Sequence, residues 1–199
     1  HKVKTGVIFD KFSSVSKVHA KVSELLIGTK KRIALYHNHD VRTLFDNKIA
    51  THKALRPYMI PTVAINIDSA KKIRTAKKIL KWQIFRHLHA DDFGGDLVLK
   101  NIFGGAGEHI YKIHTDAGFK KIAMNASDIH FLLQPFIQAS NFGTTQKNGR
   151  ADLRVIIGNK IILQSYIRVA KKGDFRANVS QGGSIHYIPL HKIPKSVLR

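Results

Sequence analysis

The chain has no cysteine. That absence excludes disulfides, thiolate zinc sites and a cysteine nucleophile, although it does not by itself assign a compartment. No window approaches about 18 uncharged apolar residues, so no transmembrane helix is expected. The opening stretch HKVKTGVIFD has a charged start and only three consecutive apolar residues, too few for a secretory signal, which makes a cytoplasmic protein the default expectation. Internal repeats and low-complexity linkers are missing too. So are a Gly-x-Ser-x-Gly elbow and the Gly-Lys-Ser/Thr of a P-loop.

Acidic residues are scarce. Thirteen Asp and Glu stand against 34 Lys and Arg, a formal charge of +21, which places a positive potential over much of the surface. The expected partner is anionic: nucleotide phosphates, nucleic acid, an acidic peptide or an anionic membrane surface. An AT-rich genome also inflates lysine, so the charge selects a class of partner and not a ligand.

What is present suffices for a folded core, since 43% of the 199 residues are hydrophobic. Over residues 1–45, the strand-like GVIFD, a helix around residues 14–27 and a strand in KKRIALYHN suggest part of an α/β layer. A helical pattern runs from Asp46 to Leu55, and Pro57 and Pro61 end it. A strand at VAINI comes next. Asp68 or Ser69 then caps a helix reaching about His87, with Ile73, Ala76, Leu80 and Ile84 on one face. Its other face carries Lys71, Lys72, Arg74, Lys78 and Lys81, a solvated surface or a nucleic-acid stripe.

The stretch DLVLKNIFGGAGEHIYKI, residues 96–113, is more specific. Leu97, Val98 and Leu99 form a strand delivering Lys100, and HIYKI alternates like a returning strand. Both the P-loop and the dinucleotide fingerprint need a helix after the glycines, so neither applies. What remains is a flexible flap whose backbone amides at Gly104, Gly105 and Gly107 can close over an anion near Lys100. In FLLQPFI, a proline marks where ladder pairing stops and leaves backbone groups at an edge for a flat heterocycle such as adenine. Gly158-Asn159 signals a hairpin that brings Arg154 and Arg168 into a sheet, where guanidinium groups need partners. A glycine-spaced loop with Asp174, Arg176 and Asn178 follows, and converging arginine forks suit phosphate or carboxylate oxygens. The pairs in HNHD and HLHADD could hold a transition metal, with surface histidines the simpler account.

These segments, DNKIATHKAL, MIPT, LVLKNIFGGAGEHI, LLQPFI and DLRVIIGNKII through YIRVAKKGDFRANVSQGG, resemble in order and spacing the ATP-grasp enzymes. The resemblance is to the branch containing the ribosomal-protein glutamate ligase, with glutathione synthetase more distant. It covers roughly residues 46–183 and implies an α+β ATP-grasp fold, two subdomains clamping ATP. Residues 1–45 would be a partial N-terminal region, 46–133 the lid subdomain with its flap, and 134–199 a C-terminally incomplete core. Lys48 and Lys100 would contact ATP phosphates, and Gly104, Gly105 and Gly107 would cover the β- and γ-phosphates. Gln134, Pro135, Phe136 and Ile137 would form the adenine edge, where the family often has a glutamate. Asp152 would contact the nucleotide, after the insertion-like stretch NFGTTQKNGR. Arg154, Arg168, Arg176 and Asn178, with Ala177 beside them, would line the floor where the γ-phosphate meets the acceptor carboxylate.

The implied activity is an ATP-dependent ligation of a carboxylate substrate to an amine through an acyl phosphate, with magnesium. The implied metal ligands, an aspartate strand and a Glu-x-Asn motif, have no counterpart before Arg199, and the chain begins at His1. A longer polypeptide carrying them is therefore expected. The alternatives are an ATP-binding relative without catalysis, and a basic nucleic-acid or ribosome-binding protein. A homo-oligomer is compatible with the sequence.

Overall fold

The structure, a computed structural model, describes residues 7–8, 34–35, 39–87, 90–103, 105–125, 130–137, 150–158, 161–193 and 195. Strand β1 (Val7–Ile8) pairs in parallel with β2 (Ala34–Leu35), as an α/β layer requires. The helix expected over residues 14–27 lies outside the described residues, as do His37 and His89 of the two histidine pairs.

Asp46 does not open a helix; it closes one. Helix α1 (His39–Asp46) takes in His39 and Asp40, and α2 (Lys48–Ala54) starts afresh. The break is at Asn47, whose side-chain oxygen accepts from the amides of Ile49 and Ala50 at 3.0 and 3.1 Å. An Asn satisfying two orphan donors is a stronger start signal than Asp46. A single turn at Arg56–Tyr58, with Pro57 in its first positions, then leads to β3 (Val63–Asn66). Helix α3 (Ala70–Phe85) follows Ser69 and buries Ile73, Ala76 and Leu80, while Lys71, Lys72, Arg74, Lys78 and Lys81 are exposed.

Strands β4 (Phe93–Asn101), β5 (Ile110–Ile113) and β6 (His130–Ile137) complete an antiparallel sheet in the order β3-β6-β4-β5, with α4 (Asp116–Asn125) between β5 and β6 in the chain. Alternation divides this sheet's faces. Ile65, Leu99, Phe131 and Leu133 join Ile73, Leu80 and Phe119 in one core. Each such side chain contributes about 1.5–3 kcal/mol on burial. Val98, Lys100, Leu132, Gln134 and Phe136 occupy the alternate positions and line the opposite side.

A second antiparallel sheet has the order β7-β8-β9: β7 (Ala151–Gly158), β8 (Ile161–Val169) and β9 (Ser184–Tyr187). Gly158 pairs with Ile161, as the Gly-Asn signal implied, and a register shift lies between Ile156 and Ile157. Ala151, Ile167 and Val169 form its small core. Strand β6 runs across residue 134, so the two sheets part between Ile137 and Arg150. Among the described residues no helix is long and apolar enough to cross a membrane.

Candidate functional site

Lys100 lies near the end of β4, paired in register with Ile110 on β5 and Leu132 on β6. Its neighbour Leu99 is wholly buried in the core, so Lys100 faces the other way. Burial pulls the Lys100 ammonium below its ordinary pKa, and the charge of Lys48 lowers it further. Lys48 arrives from the first turn of α2. Its backbone amide and its ammonium both donate to the Ile102 carbonyl, at 3.2 and 3.4 Å, which fixes α2 to the exit of β4. Burial also lowers its pKa, with Asp46 partly offsetting that effect. Two desolvated ammonium groups that repel each other favour an anion between them.

The glycine stretch after Lys100 is a folded loop and not a slack one. Asn101 accepts from the Phe103 amide at 2.9 Å and donates to the His109 carbonyl at 3.1 Å, while the Glu108 amide donates to Gly105 at 2.9 Å. Ala106, Gly107 and His109 all have positive φ, at 51°, 84° and 51°. The flap rests on the loop after β8. Arg176 Nη1 donates to the Gly107 carbonyl at 3.2 Å, and Ser180 and Gln181 donate to the Ala106 carbonyl. A Cβ on Gly107 would meet Asn178 Cγ at 2.9 Å, so glycine permits this approach as well as the φ. Gly104 lies outside the described residues.

The Gln134–Ile137 segment is a one-sided edge. On the β3 side, pairing ends at Leu133; on the β4 side it continues through Pro135 to Ile137. A proline is tolerated there because an edge asks for no donor on its open side. Gln134 is buried, its Nε2 donating to Thr62 Oγ1 at 2.8 Å, and its Oε1 is buried with no hydrogen-bond partner among the described residues. Phe136 meets Phe175 edge-on with ring centres 6.1 Å apart.

The floor is a pair of carboxylate–guanidinium clusters. Asp152 and Arg168 face each other across β7 and β8, joined by a two-pronged contact whose Nε prong is 2.8 Å. Arg154 Nε lies 3.6 Å from the same carboxylate. Burial pushes the Asp152 carboxyl up, but the Arg168 hydrogen bond and the two positive charges outweigh it and hold it below its ordinary value. Asp174 accepts from Arg176 through Nε at 3.1 Å, Nη2 at 2.9 Å and the backbone amide at 2.9 Å. That hydrogen bonding holds the Asp174 carboxyl down at about 2 against the opposing effect of burial.

Every nucleotide- or acceptor-site residue that the resemblance implied and the structure describes lines one cleft of about 520 Å³, including Asp152, Arg154, Arg168, Arg176, Ala177 and Asn178, whereas His39 and His87 do not line it. Sequence reasoning missed Thr51, His52, Met59 and Ile60 on the same wall. His52 was within reach of it, being four residues after Lys48 and so on the same helix face. Burial, and next the Arg56 charge, lower the His52 pKa, and its Nδ1 is buried with no hydrogen-bond partner among the described residues.

An ATP-sized polyanion fits this chemistry: two ammonium groups, flap amides and unpartnered acceptor and ring nitrogen atoms. Magnesium fits it poorly. The one carboxylate that lines the cleft among the described residues, Asp152, is committed to arginines, as is Asp174 beside Arg176, and among the described residues no group of three metal-ligating side chains exists.

Known proteins share this fold. At 14% identity and a TM-score of 0.53, the chain overlays a RimK domain ATP-grasp protein from Sphaerobacter thermophilus, covering 82% of this chain and 54% of that one. With the ATP-grasp ligase PsnB, solved in complex with a minimal precursor, identity is 15% and the TM-score 0.55, over 96% of this chain and 58% of that one. In sequence it is 33% identical to a probable alpha-L-glutamate ligase of Parasynechococcus marenigrum, over 46% of this chain and 18% of the relative. It is 24% identical to the uncharacterized MG011 homolog of Mycoplasma pneumoniae, over 89% of this chain and 58% of that protein. The chain thus spans little more than half the length of even its better-covered relatives. Residues 46–196 match the RimK-like ATP-grasp domain, and with most of its length inside that match the chain belongs to the RimK-like ATP-grasp family.

Proposed function

We propose that this domain binds ATP in the cleft between its two larger sheets and serves an ATP-dependent ligation of a carboxylate to an amine. The observation that carries this reading is the convergence of Lys48 and Lys100, both with lowered pKa, on a cleft closed by the Ala106–Gly107 turn. Family membership and the similarity to a probable glutamate ligase support the same class of reaction.

In this reading an acceptor carboxylate oxygen attacks the γ-phosphorus, and ADP leaves with the electron pair of the broken phosphorus–oxygen bond. The amine nitrogen then attacks the acyl carbon. The tetrahedral intermediate collapses, phosphate departs with the carbon–oxygen pair, and the amine loses its proton. The chain's task is charge neutralisation and alignment, not nucleophilic attack. Lys48 and Lys100 take the phosphate oxygens, the amides of Gly105 and Gly107 cover them, and Pro135 to Ile137 offer backbone groups to the adenine edge. Arg154, Arg168 and Arg176, with Asn178, face the acceptor carboxylate. Asp152 sets the two β-strand arginines in place and shares their charge. No step is routed through magnesium, for which these residues provide no open carboxylates.

The test is to offer ATP with panels of amino acids and acidic peptides and follow ADP release with mass spectrometry of the products. An acceptor labelled with oxygen-18 in its carboxylate delivers one labelled oxygen to phosphate if the acyl phosphate forms. An amide product with unlabelled phosphate would overturn that route.

A further inference from the structure

Beyond the Phe136–Phe175 contact lies a second cavity, of about 820 Å³, that the ligation does not use. Its cations come from three separate segments. Strand β5 and the residue after it supply Lys112 and His114, the entry to β7 supplies Arg150, and the exit of β8 supplies Lys171 and Lys172. One acidic side chain, Asp174, lines it, and that carboxylate is already chelated by Arg176. Lys112 and His114 share Asp96, at 2.7 Å each. Arg150, Lys171 and Lys172 have no carboxylate partner among the described residues.

The cavity is shaped as well as charged. Lys171 runs its stem over Gly182, where a Cβ would come within 3.2 Å of Lys171 Cδ, and Gly182 has φ +87°. The Phe136 ring is held by two cations, Lys112 Nζ at 4.2 Å and the Arg150 guanidinium at 4.7 Å from its centre. Lys112, Arg150 and the Lys171 stem are therefore positioned by packing, while Lys171 and Lys172 are exposed at the cavity wall.

We propose that this cavity is a second anion site, separate from the nucleotide cleft, that takes a ligand carrying two or more oxyanion groups, phosphate or carboxylate. Three cations with no carboxylate partner among the described residues and a fourth shared with Asp96 suit several oxyanions better than one. The site does not depend on the ligase reading, because none of its cations is assigned a role in that reaction.

Calorimetric titration with inorganic pyrophosphate and, separately, with triglutamate tests it, at saturating non-hydrolysable ATP analogue so that the first cleft is filled. The expected result is saturable binding of one or both probes. That binding should weaken by about tenfold or more, about 1.4 kcal/mol or more, in Lys171→Glu/Lys172→Glu. The control is Lys71→Glu/Arg74→Glu on the exposed face of α3, which removes the same total charge and should leave the affinity within about twofold. The tighter probe tells a phosphate-bearing ligand from a carboxylate-bearing one. Equal losses in both double variants would reduce the effect to general attraction by a +21 protein and overturn the proposal. So would the absence of binding, or competition of both probes with the nucleotide analogue.

Discussion

Arg176 reaches across 69 residues of sequence to donate to the Gly107 carbonyl, while Asp174 fixes the rest of its guanidinium. The flap from the four-stranded sheet is thereby latched to a loop of the three-stranded one. Replacing Arg176 by Lys keeps a charge but loses the fork. R176K is expected to weaken nucleotide binding by about tenfold, on the order of 1.4 kcal/mol. It should also raise amide exchange over residues 105–109, whereas unchanged exchange there would show that the latch does not hold the flap.

Gly107→Ala tests the same contact from the other side. The new Cβ would lie 2.9 Å from Asn178 Cγ, at a φ of +84°. The expected cost is about 1 kcal/mol or more in flap closure. Thermal unfolding should shift little, because the flap lies outside both hydrophobic cores. A loss of global stability as large as a core truncation would contradict this.

The core has its own test. Leu133 is wholly buried between α3, β3 and β4, so Leu133→Ala should cost about 2–5 kcal/mol in denaturant unfolding. Tyr58, 88% exposed, should change stability by less than about 0.5 kcal/mol when truncated. Similar losses at the two positions would mean that the core is misplaced.

Much of this arrangement was legible in the sequence because it is local. The strand before Lys100, the returning strand at Ile110–Ile113 and the buried stripe of α3 follow from periods of 2 and 3.6. The Gly158-Asn159 signal also located the hairpin that carries Arg154 and Arg168. What escaped depends on register and distance. That Asp152 is the partner which both arginines needed is set by which residues face each other across β7 and β8, and no local pattern fixes that. The hydrogen bond from the Gln134 amide to Thr62 joins residues 72 positions apart. The docking of Ser180 and Gln181 on Ala106 likewise joins two loops that neither segment announces alone. The break at Asn47 was local and was missed because the apolar period continued through it.

Asp174 gives the account a pH signature. Its folded pKa, about 2, lies below the unfolded value of 3.8, so the folded state binds the proton less readily than the unfolded one. The stabilisation is complete above about pH 4 and is lost as pH falls through 2. Asp174→Asn should flatten the acid limb of the stability curve in that window and leave the curve's shape near neutral pH unaltered. An acid limb identical in the two proteins would remove Asp174 from the linkage.

The most direct measurement is the dissociation constant of ATP for Lys100→Met beside the parent protein, read by calorimetry at neutral pH. With a buried ammonium facing the phosphates, the affinity should fall by about 10- to 100-fold while circular dichroism and unfolding midpoint stay at or above those of the parent, since a desolvated charge has been removed. Unchanged ATP affinity in a folded Lys100→Met protein would contradict the assignment of this cleft to the nucleotide.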